Sequence, residues 1–272
     1  MSKAKYAALP YLVWMVVFTI IPMLLILVFA FTTPDGGFTI KNISDVGKYT
    51  DVIMKSIWLA AIATAVCLLL GYPLAYILSR QSARSQQIGL MLIMLPMWMS
   101  FLLRTFAWMT LLEKTGVINR VLGMIGLGPF ELINTSGAVV LGMVYNYLPF
   151  MILPLHSIMV KIDHSVIEPA QDLGAGSMKV FSKVVLPLSM PGISSGITMV
   201  FVPAVSTFII SKMLGGGSNL MIGDLIDMQF LGNAYNPHLG SAISLVLMVI
   251  VLLCMSVMNQ FDDSEEMEGM LI

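Results

Sequence analysis

Apolar residues fall into six long stretches that are separated by more polar segments. A helix needs about 20 apolar residues to cross the roughly 30 Å hydrocarbon layer, because it rises about 1.5 Å per residue. Each stretch reaches that length, so the pattern predicts an all-α membrane protein with six transmembrane helices. The predicted spans are 8–31, 56–77, 87–111, 137–159, 184–211 and 239–258.

The first stretch is predicted to be a retained membrane anchor. Its apolar run exceeds that of a usual signal peptide, and no small-x-small cleavage site follows it. Lysine and arginine near span ends favour the cytoplasmic side. They are more frequent on the side of the N-terminus, so we expect both termini in the cytoplasm. Those on that side are Lys3, Lys5, Arg80, Arg84, Lys161, Lys179 and Lys183, against Lys41, Lys48, Lys114 and Arg120 opposite.

Composition agrees with a membrane protein and offers no enzyme chemistry. Hydrophobic residues make up 58% of the 272 residues and charged residues 11%. The mean hydropathy of +0.91 is far too high for a soluble domain. The net charge of -1 gives no basic surface for nucleic acid. The sequence has no P-loop, catalytic triad or metal-ligand spacing, so we expect a protein that is not an enzyme by itself and binds no metal.

A polar segment between the fourth and fifth spans interrupts the apolar pattern. It reads EPAQDLGAGSMKVFSKVVLPLSMPGI and covers residues 168–193. Glycines favour a sharp reversal after a first short helix, and Ser177 is suited to cap a second helix whose continuation Pro187 limits. The pattern predicts a cytoplasmic helix-turn-helix whose apolar side chains dock into a groove of a partner protein. These apolar side chains are Ala170, Leu173 and Phe181.

The spacing of this segment resembles the EAA loop of ABC importer permeases, E-A-A-x3-G-x9-I-x-L-P. Two positions depart from the family pattern, Pro169 for alanine and Val184 for isoleucine. In that family the loop couples the permease to an ATPase: the glutamate fixes the loop by polar contacts, the alanine fits the ATPase groove and the glycine makes the bend. The coupling residues that the resemblance implies are Glu168, Pro169, Ala170, Leu173, Gly174, Phe181, Leu186 and Pro187.

The resemblance extends over nearly the whole chain. Segments beginning GYPLAY at Gly71, LPMWMS at Leu95, VYNYLPF at Val144 and GGGSNL at Gly215 are similar to PotB-type permeases of spermidine/putrescine importers. The resemblance implies a type I ABC importer permease fold with residues 1–272 as one transmembrane domain of the bacterial cytoplasmic (inner) membrane. It implies that the chain forms one half of a translocation path for polyamines and that the transporter works by alternating access. A coupling loop at about 161–186 and an acidic cytoplasmic tail at about 260–272 belong to this organisation.

The same resemblance implies that the chain works only in a complex. The expected partners are a second, homologous permease of the PotC type and an extracellular substrate-binding protein of the PotD type. A homodimeric ATPase of the PotA type is expected to bind ATP and Mg. Membrane lipid surrounds the permeases, and no cofactor is expected on this chain.

Aromatic side chains in the middle and outer parts of the spans are candidates for the substrate path, because aromatic faces attract flexible cations such as polyamines. Carboxylates are absent from the predicted spans, so the acidic candidates come from the segment before the sixth span. The path candidates are Trp98, Phe101, Trp108, Tyr145, Tyr147, Phe208, Asp224 and Asp227. The glycine stretch 214–220 is predicted to be a flexible turn on the outer face.

Arg104 and Lys212 are cations in or at the end of predicted spans, where an uncompensated charge costs several kcal/mol. Arg104 lies about 25 Å along a straight third span, and Lys212 lies in the same layer. Both side chains extend outward into water, or they line the outer mouth and pair with the binding protein or Glu113. Such cations would repel a polyamine at the mouth. A related importer of an anion or a metal chelate therefore stays an alternative, and a secondary transporter subunit a weaker one.

Overall fold

The computed structural model is helical throughout the residues that it describes, which are 9–162, 176–217, 219–232 and 234–269. A single bridge between Thr32 and Phe38 is the only β-type pairing found in these ranges. Four of their helices are long and apolar enough to cross a membrane, and two bent helix pairs raise the number to six. Each predicted span therefore has a counterpart in the fold.

The bounds of the spans follow from four continuous helices and two bent pairs. The continuous ones are Pro10–Ala30, Lys41–Ser79, Ser136–Met159 and Pro237–Val257. The third span pairs Ala83–Trp98 with Phe101–Met124 at 86°, and the fifth pairs Phe181–Leu188 with Met190–Val205 at 57°. Shorter elements are the π-helical turns Val16–Ile20 and Phe181–Val185 and the helices Val117–Met124, Ser177–Val180, Ile209–Leu214 and Ile222–Phe230.

The third span is bent where the sequence predicts a straight helix. Its first half ends in the 3-10 turn Leu95–Trp98, and Met99 then has an extended backbone with ψ of 150°. Pro96 lies in this turn, where it removes a helical donor and disfavours helical geometry in the residue before it. Pro73 and Pro149, in contrast, lie inside unbroken helices. A proline alone therefore does not decide where a span breaks.

The fifth span ends earlier than predicted. Helix Met190–Val205 stops before Thr207, and a separate helix follows at Ile209–Leu214. The predicted boundary at residue 211 is therefore wrong. Gly223 explains the compact turn that follows, because a Cβ at this position would lie 2.6 Å from the carbonyl oxygens of Ser206 and Thr207. Only glycine lets the helix Ile222–Phe230 pack against the end of the fifth span.

Glycines bring the second, fourth and fifth spans into close contact. A Cβ at Gly71 would lie 3.1 Å from Met151 Cγ of the fourth span. On the fifth span, a Cβ at Gly196 would lie 2.7 Å from Met151 Sδ, and one at Gly192 would lie 3.2 Å from the Pro154 carbonyl oxygen. Small residues favour helix association in lipid because they let backbones approach closely. These three spans form the packed centre of the chain.

The sixth span continues without a break into the acidic segment. The helix Pro237–Gly269 extends past the apolar stretch that ends at Val257. Residues 260–269 of the predicted acidic tail therefore have helical backbone, and their side of the membrane stays a prediction.

Candidate coupling segment and substrate path

The described part of the predicted coupling loop begins at Gly176. A second helix is present, as predicted, but Ser177 is its first residue and not its cap, because the Gly176 carbonyl accepts the first helical bonds. The helix continues through the π-helical turn Phe181–Val185 to Leu188. The first half of the loop lies outside the described residues, so the coupling roles assigned there stay predictions. That half contains Glu168, Pro169, Ala170, Leu173 and Gly174.

Phe181 packs inside its own chain. Its ring lies edge-on against Tyr72 and Tyr76 of the second span, with centroid distances of 5.6 and 6.1 Å. The Arg80 guanidinium lies over the Tyr76 ring, 5.3 Å from its centroid. Phe181 therefore has aromatic partners within its own chain, and its contact with a partner groove stays a prediction. The C-terminal part of the second span supplies aromatic surface that the sequence pattern does not reveal.

Leu186 and Pro187 lie in the last turn before the bend of the fifth span. The sequence predicts that Pro187 limits the helix. The helix instead continues to Leu188, and the chain bends at Ser189. The Ser189 hydroxyl donates to the Leu186 carbonyl oxygen at 2.9 Å and lies 2.9 Å from the hydroxyl of Tyr72. Tyr72 and Ser189 are both buried. The end of the coupling segment is therefore fixed to the second span.

The predicted aromatic path residues fall into separate groups. Trp108 and Tyr145 pack edge-on with a centroid distance of 5.4 Å. The Tyr147 hydroxyl is bound to the fifth span, where it donates to a carbonyl oxygen at 3.4 Å. Trp98 is 71% exposed beside the bend of the third span, and Phe101 begins the helix after that bend. These residues do not converge on a single pocket within the chain.

Phe208 and Asp227 line one cavity of about 270 Å³. It lies where the end of the fifth span, the helix Ile222–Phe230 and the sixth span meet. Ser206 and Asp227 are the polar side chains among its lining residues, and Phe208 and Phe230 give it aromatic surface. Two of the predicted path residues are therefore brought together at the break of the fifth span.

Asp227 already has a cationic partner in the chain. Lys212 Nζ donates to Asp227 Oδ2 at 3.0 Å, with side-chain exposures of 67% and 17%. Within the chain, Lys212 pairs with Asp227 on the next helix and not with Glu113, and its contact with a binding protein stays a prediction. An ion pair with one exposed member contributes little to stability. Its main effect is to compensate the Asp227 charge beside the cavity.

Asp224 is used inside the fold. Its carboxylate accepts the Met221 amide hydrogen at 2.8 Å, which caps the helix Ile222–Phe230, and its side chain is buried. Burial raises the pKa of Asp224, while the bond from Met221 opposes that shift. Asp224 therefore offers no open carboxylate to a substrate in this structure.

Arg104 is buried and does not reach the outer surface. Its side chain is 8% exposed, and Nε and Nη1 have no hydrogen-bond partner within the described ranges. The expected depth of about 25 Å assumes a straight helix, whereas the bend after Trp98 redirects the chain. The low exposure does not favour extension of the side chain into water, and the contact of Arg104 with a binding protein stays a prediction. A buried guanidinium without an acceptor is costly.

The glycine stretch is tied down, contrary to the prediction of a flexible turn. Asn219 is 8% exposed. Its Oδ1 accepts from Lys55 Nζ and Ser136 Oγ, both at 2.8 Å, and its Nδ2 donates to the carbonyl oxygens of Asn134 at 2.9 Å and Gly215 at 2.8 Å. These bonds join the ends of the second and fourth spans to the connection between spans five and six. Sequence reasoning missed Asn219, because an asparagine after glycines is also typical of an open turn.

A larger cavity of about 540 Å³ lies between the second, fifth and sixth spans. Its lining is apolar apart from Thr64 and Cys254 and contains no charged side chain, and Phe201 is its aromatic residue. Within the described ranges, no group of three histidine, cysteine or acidic side chains is placed to hold a metal ion.

Residues 68–263 match the family of binding-protein-dependent transport system inner membrane components. The chain belongs to this family. Two curated relatives are spermidine/putrescine transport system permease proteins PotB. The protein of Haemophilus influenzae is 38% identical over 250 residues, covering 88% of this chain and 87% of the relative. The protein of Escherichia coli K12 is 35% identical over 248 residues, covering 88% of this chain and 90% of the relative.

Solved structures give the same fold for this permease. A chain of a bacterial ABC transporter involved in the import of the acidic polysaccharide alginate matches with a TM-score of 0.76 at 19% identity, covering 96% of this chain and 95% of the other. A chain of the inward-facing MetNI methionine ABC transporter matches with a TM-score of 0.58 at 16% identity. The match covers 79% of this chain and 95% of the other. The protein is therefore a multi-pass inner-membrane permease with the type I ABC importer fold. A permease of this kind works with an ATPase and a substrate-binding protein.

Proposed function

We propose that this permease forms one half of the path of an ATP-driven importer for polyamines such as spermidine and putrescine. The observation that carries the proposal is the similarity to PotB permeases, which covers 88% of the chain at 38% identity. ATP hydrolysis takes place on a separate subunit, because the chain has no P-loop.

The complete importer contains a second, homologous permease of the PotC type and an extracellular binding protein of the PotD type. A homodimeric ATPase of the PotA type holds ATP and Mg. The ATPase engages the loop at 161–186, with Glu168 and Gly174 at its centre, and the segment Phe181–Leu188 carries the displacement to the fifth span. The permease then alternates between an inward-open and an outward-open state.

The chain forms one domain, residues 1–272, with both termini and the coupling loop in the cytoplasm. The excess of lysine and arginine on the side of the N-terminus supports this orientation. It places the helices Ile209–Leu214 and Ile222–Phe230, which connect the fifth span to the sixth, on the outer side.

The contribution of this chain to the polyamine path is aromatic. Phe208 lines the cavity at the break of the fifth span, and Trp108 and Tyr145 form a second aromatic surface. A cation over an aromatic face gains about 0.5–2 kcal/mol. Asp224 caps a helix and Asp227 is paired with Lys212, so the carboxylates that neutralise the substrate come from the second permease or the binding protein.

Uptake by the reconstituted complex tests this proposal. Proteoliposomes that contain both permeases, the ATPase and the binding protein are supplied with ATP and labelled spermidine, putrescine or glutarate. We expect ATP-dependent uptake of the two amines and none of the dicarboxylate. Phe208→Leu is expected to raise the KM for spermidine about fivefold, whereas Phe18→Leu on the exposed first span serves as the matched control. Uptake of glutarate but not of amines would contradict the substrate assignment.

Glu168→Ala separates this importer from a secondary transporter. In an ATP-driven complex, the variant is expected to lose substrate-stimulated ATP hydrolysis together with uptake. Uptake that persists without any ATPase subunit would instead indicate a secondary transporter.

A further inference from the structure

Tyr72 of the second span contacts the start of the helical piece Phe181–Leu188, the first half of the fifth span, and the residue that follows its end. At the start of the piece, its ring packs edge-on against Phe181 at 5.6 Å. At the far end, its hydroxyl lies 2.9 Å from the hydroxyl of Ser189. Tyr72 is 8% exposed and Ser189 is fully buried. One side chain therefore bridges the whole length of the piece.

The direction of the hydrogen bonds follows from the geometry at the bend. Pro191 has no amide hydrogen for the Pro187 carbonyl and its ring crowds that carbonyl, which accounts for the 57° bend at Ser189. The Ser189 hydroxyl donates to the Leu186 carbonyl oxygen at 2.9 Å. Because a hydroxyl has one hydrogen, Ser189 must accept from Tyr72. Tyr72 donates to Ser189, and Ser189 donates to Leu186.

On the other side of the bend, the fifth span packs tightly on the fourth. A Cβ at Gly192 would lie 3.2 Å from Ile158 Cβ, and one at Gly196 would lie 2.7 Å from Met151 Sδ. The bend at Ser189 therefore lies between the contact with Tyr72 and a close contact with the fourth span. Along the described part of the chain, a displacement of the coupling segment reaches the helix Met190–Val205 through this bend.

We propose that Tyr72 is a positioning residue that clamps Phe181–Leu188 to the second span. With the clamp closed, motion of the coupling loop moves the second span and the bend together, and the piece cannot pivot alone at Ser189. Pivoting would leave the buried Tyr72 hydroxyl without its acceptor, which is unfavourable in a low-dielectric interior. The inference rests on the proposed function, because it assumes that an ATPase displaces the loop.

Hydroxyl deletions in the reconstituted complex test the clamp, with spermidine imported per ATP hydrolysed as the readout. Tyr72→Phe keeps the ring against Phe181 and removes the donor, and Ser189→Ala removes the acceptor. Each is expected to lower the ratio about fivefold, which corresponds to one net hydrogen bond. The double variant is expected to lose no more than Ser189→Ala alone, because Ser189→Ala already removes the bond that Tyr72→Phe breaks.

Two conservative variants serve as controls. Ser189→Thr keeps the hydroxyl and is expected to retain the wild-type ratio. Tyr76→Phe is the matched control for Tyr72→Phe, because Tyr76 also packs its ring on Phe181 but its hydroxyl makes no hydrogen bond within the described ranges. A wild-type ratio in Tyr72→Phe, or additive losses in the double variant, would overturn the clamp.

A distance measurement tests the clamp without any substrate. Spin labels at Lys179→Cys and Ile77→Cys, both exposed, report the separation of the coupling piece and the second span in a background without the native cysteines. We expect the same distance with ADP and with ATP plus vanadate in the wild type, and a nucleotide-dependent distance in Tyr72→Phe. A nucleotide-dependent distance in the wild type, or none in the variant, would reject the clamp. Failure of the wild type to import spermidine would reject only the proposed substrate.

Discussion

Gly215 is a position where one added methyl group should directly disturb the connection between the fifth and sixth spans. A Cβ there would lie 2.7 Å from the Ser211 carbonyl oxygen, 2.8 Å from Val139 Cγ2 and 2.9 Å from Asn219 Cβ. Favourable contacts between carbon atoms lie at about 3.5–4.0 Å. Gly215→Ala therefore forces the backbone, the fourth span or Asn219 to move.

The expected cost combines overpacking with weakened hydrogen bonds. Inserting a methyl group into a packed site costs about 1–3 kcal/mol, and a shift of Asn219 strains bonds that each contribute about 1 kcal/mol. We therefore expect Gly215→Ala to lower the free energy of unfolding by about 2–3 kcal/mol. For a chain of this size, that lowers Tm by roughly 5–10 °C.

Thermal unfolding of the full chain in detergent measures the effect, with a thiol-reactive dye that reports exposure of Cys67, which is fully buried in the fold. Gly217→Ala is the matched control, because a Cβ at Gly217 meets nothing within 4 Å. Its Tm is expected to stay within about 2 °C of the wild type. Equal shifts in the two variants, or no shift in Gly215→Ala, would show that the glycine stretch is not tightly packed.

Three further variants have expected outcomes in the same thermal assay. Gly196→Leu should lower Tm by about 6–12 °C, because its side chain must displace Met151 from the contact between the fourth and fifth spans; an unchanged Tm would contradict that packing. Lys212→Asp should lower Tm by less than about 4 °C, because the exposed ion pair contributes about 0.2–1 kcal/mol. Combining Lys212→Asp with Asp227→Lys should restore Tm. A double variant that is no more stable than Lys212→Asp would contradict the ion pair. Arg104→Met should raise Tm by about 2 °C or more, since an apolar side chain replaces a buried cation without an acceptor; a lower Tm would indicate that Arg104 has an acceptor in the folded chain.

The number and order of the spans could be predicted from the sequence, because each span needs its own apolar stretch whatever it packs against. The bends could not. Pro96 and Pro191 lie at bends, whereas Pro73 and Pro149 lie inside continuous helices. A proline leaves the carbonyl group four residues before it without its helical donor. Neighbouring helices and side chains decide whether this carbonyl finds another partner in a straight or a bent helix.

The chemistry of the coupling segment could be predicted only in part. The start of its second helix at Ser177 follows from local glycine and serine preferences, which act within a few residues. The packing of Phe181 on Tyr72 and the pairing of Lys212 with Asp227 depend on which helices become neighbours. Composition identifies these residues as aromatic or charged, but only the fold supplies their partners.

The bend of the third span restricts what surrounds the permease at that depth. The helix Ala83–Trp98 rises about 24 Å, which falls short of the roughly 30 Å hydrocarbon layer. A span that enters the layer at Ala83 along the membrane normal therefore places Met99 and Ser100 below the far surface. Both are exposed in the single chain. The Met99 amide is bonded to Pro96 and the Ser100 carbonyl to Arg104, which leaves the Met99 carbonyl and the Ser100 amide without a backbone partner. Acyl chains cannot solvate free peptide groups. This stretch of the chain must face another protein surface or a water-filled vestibule, and annular lipid is excluded from it.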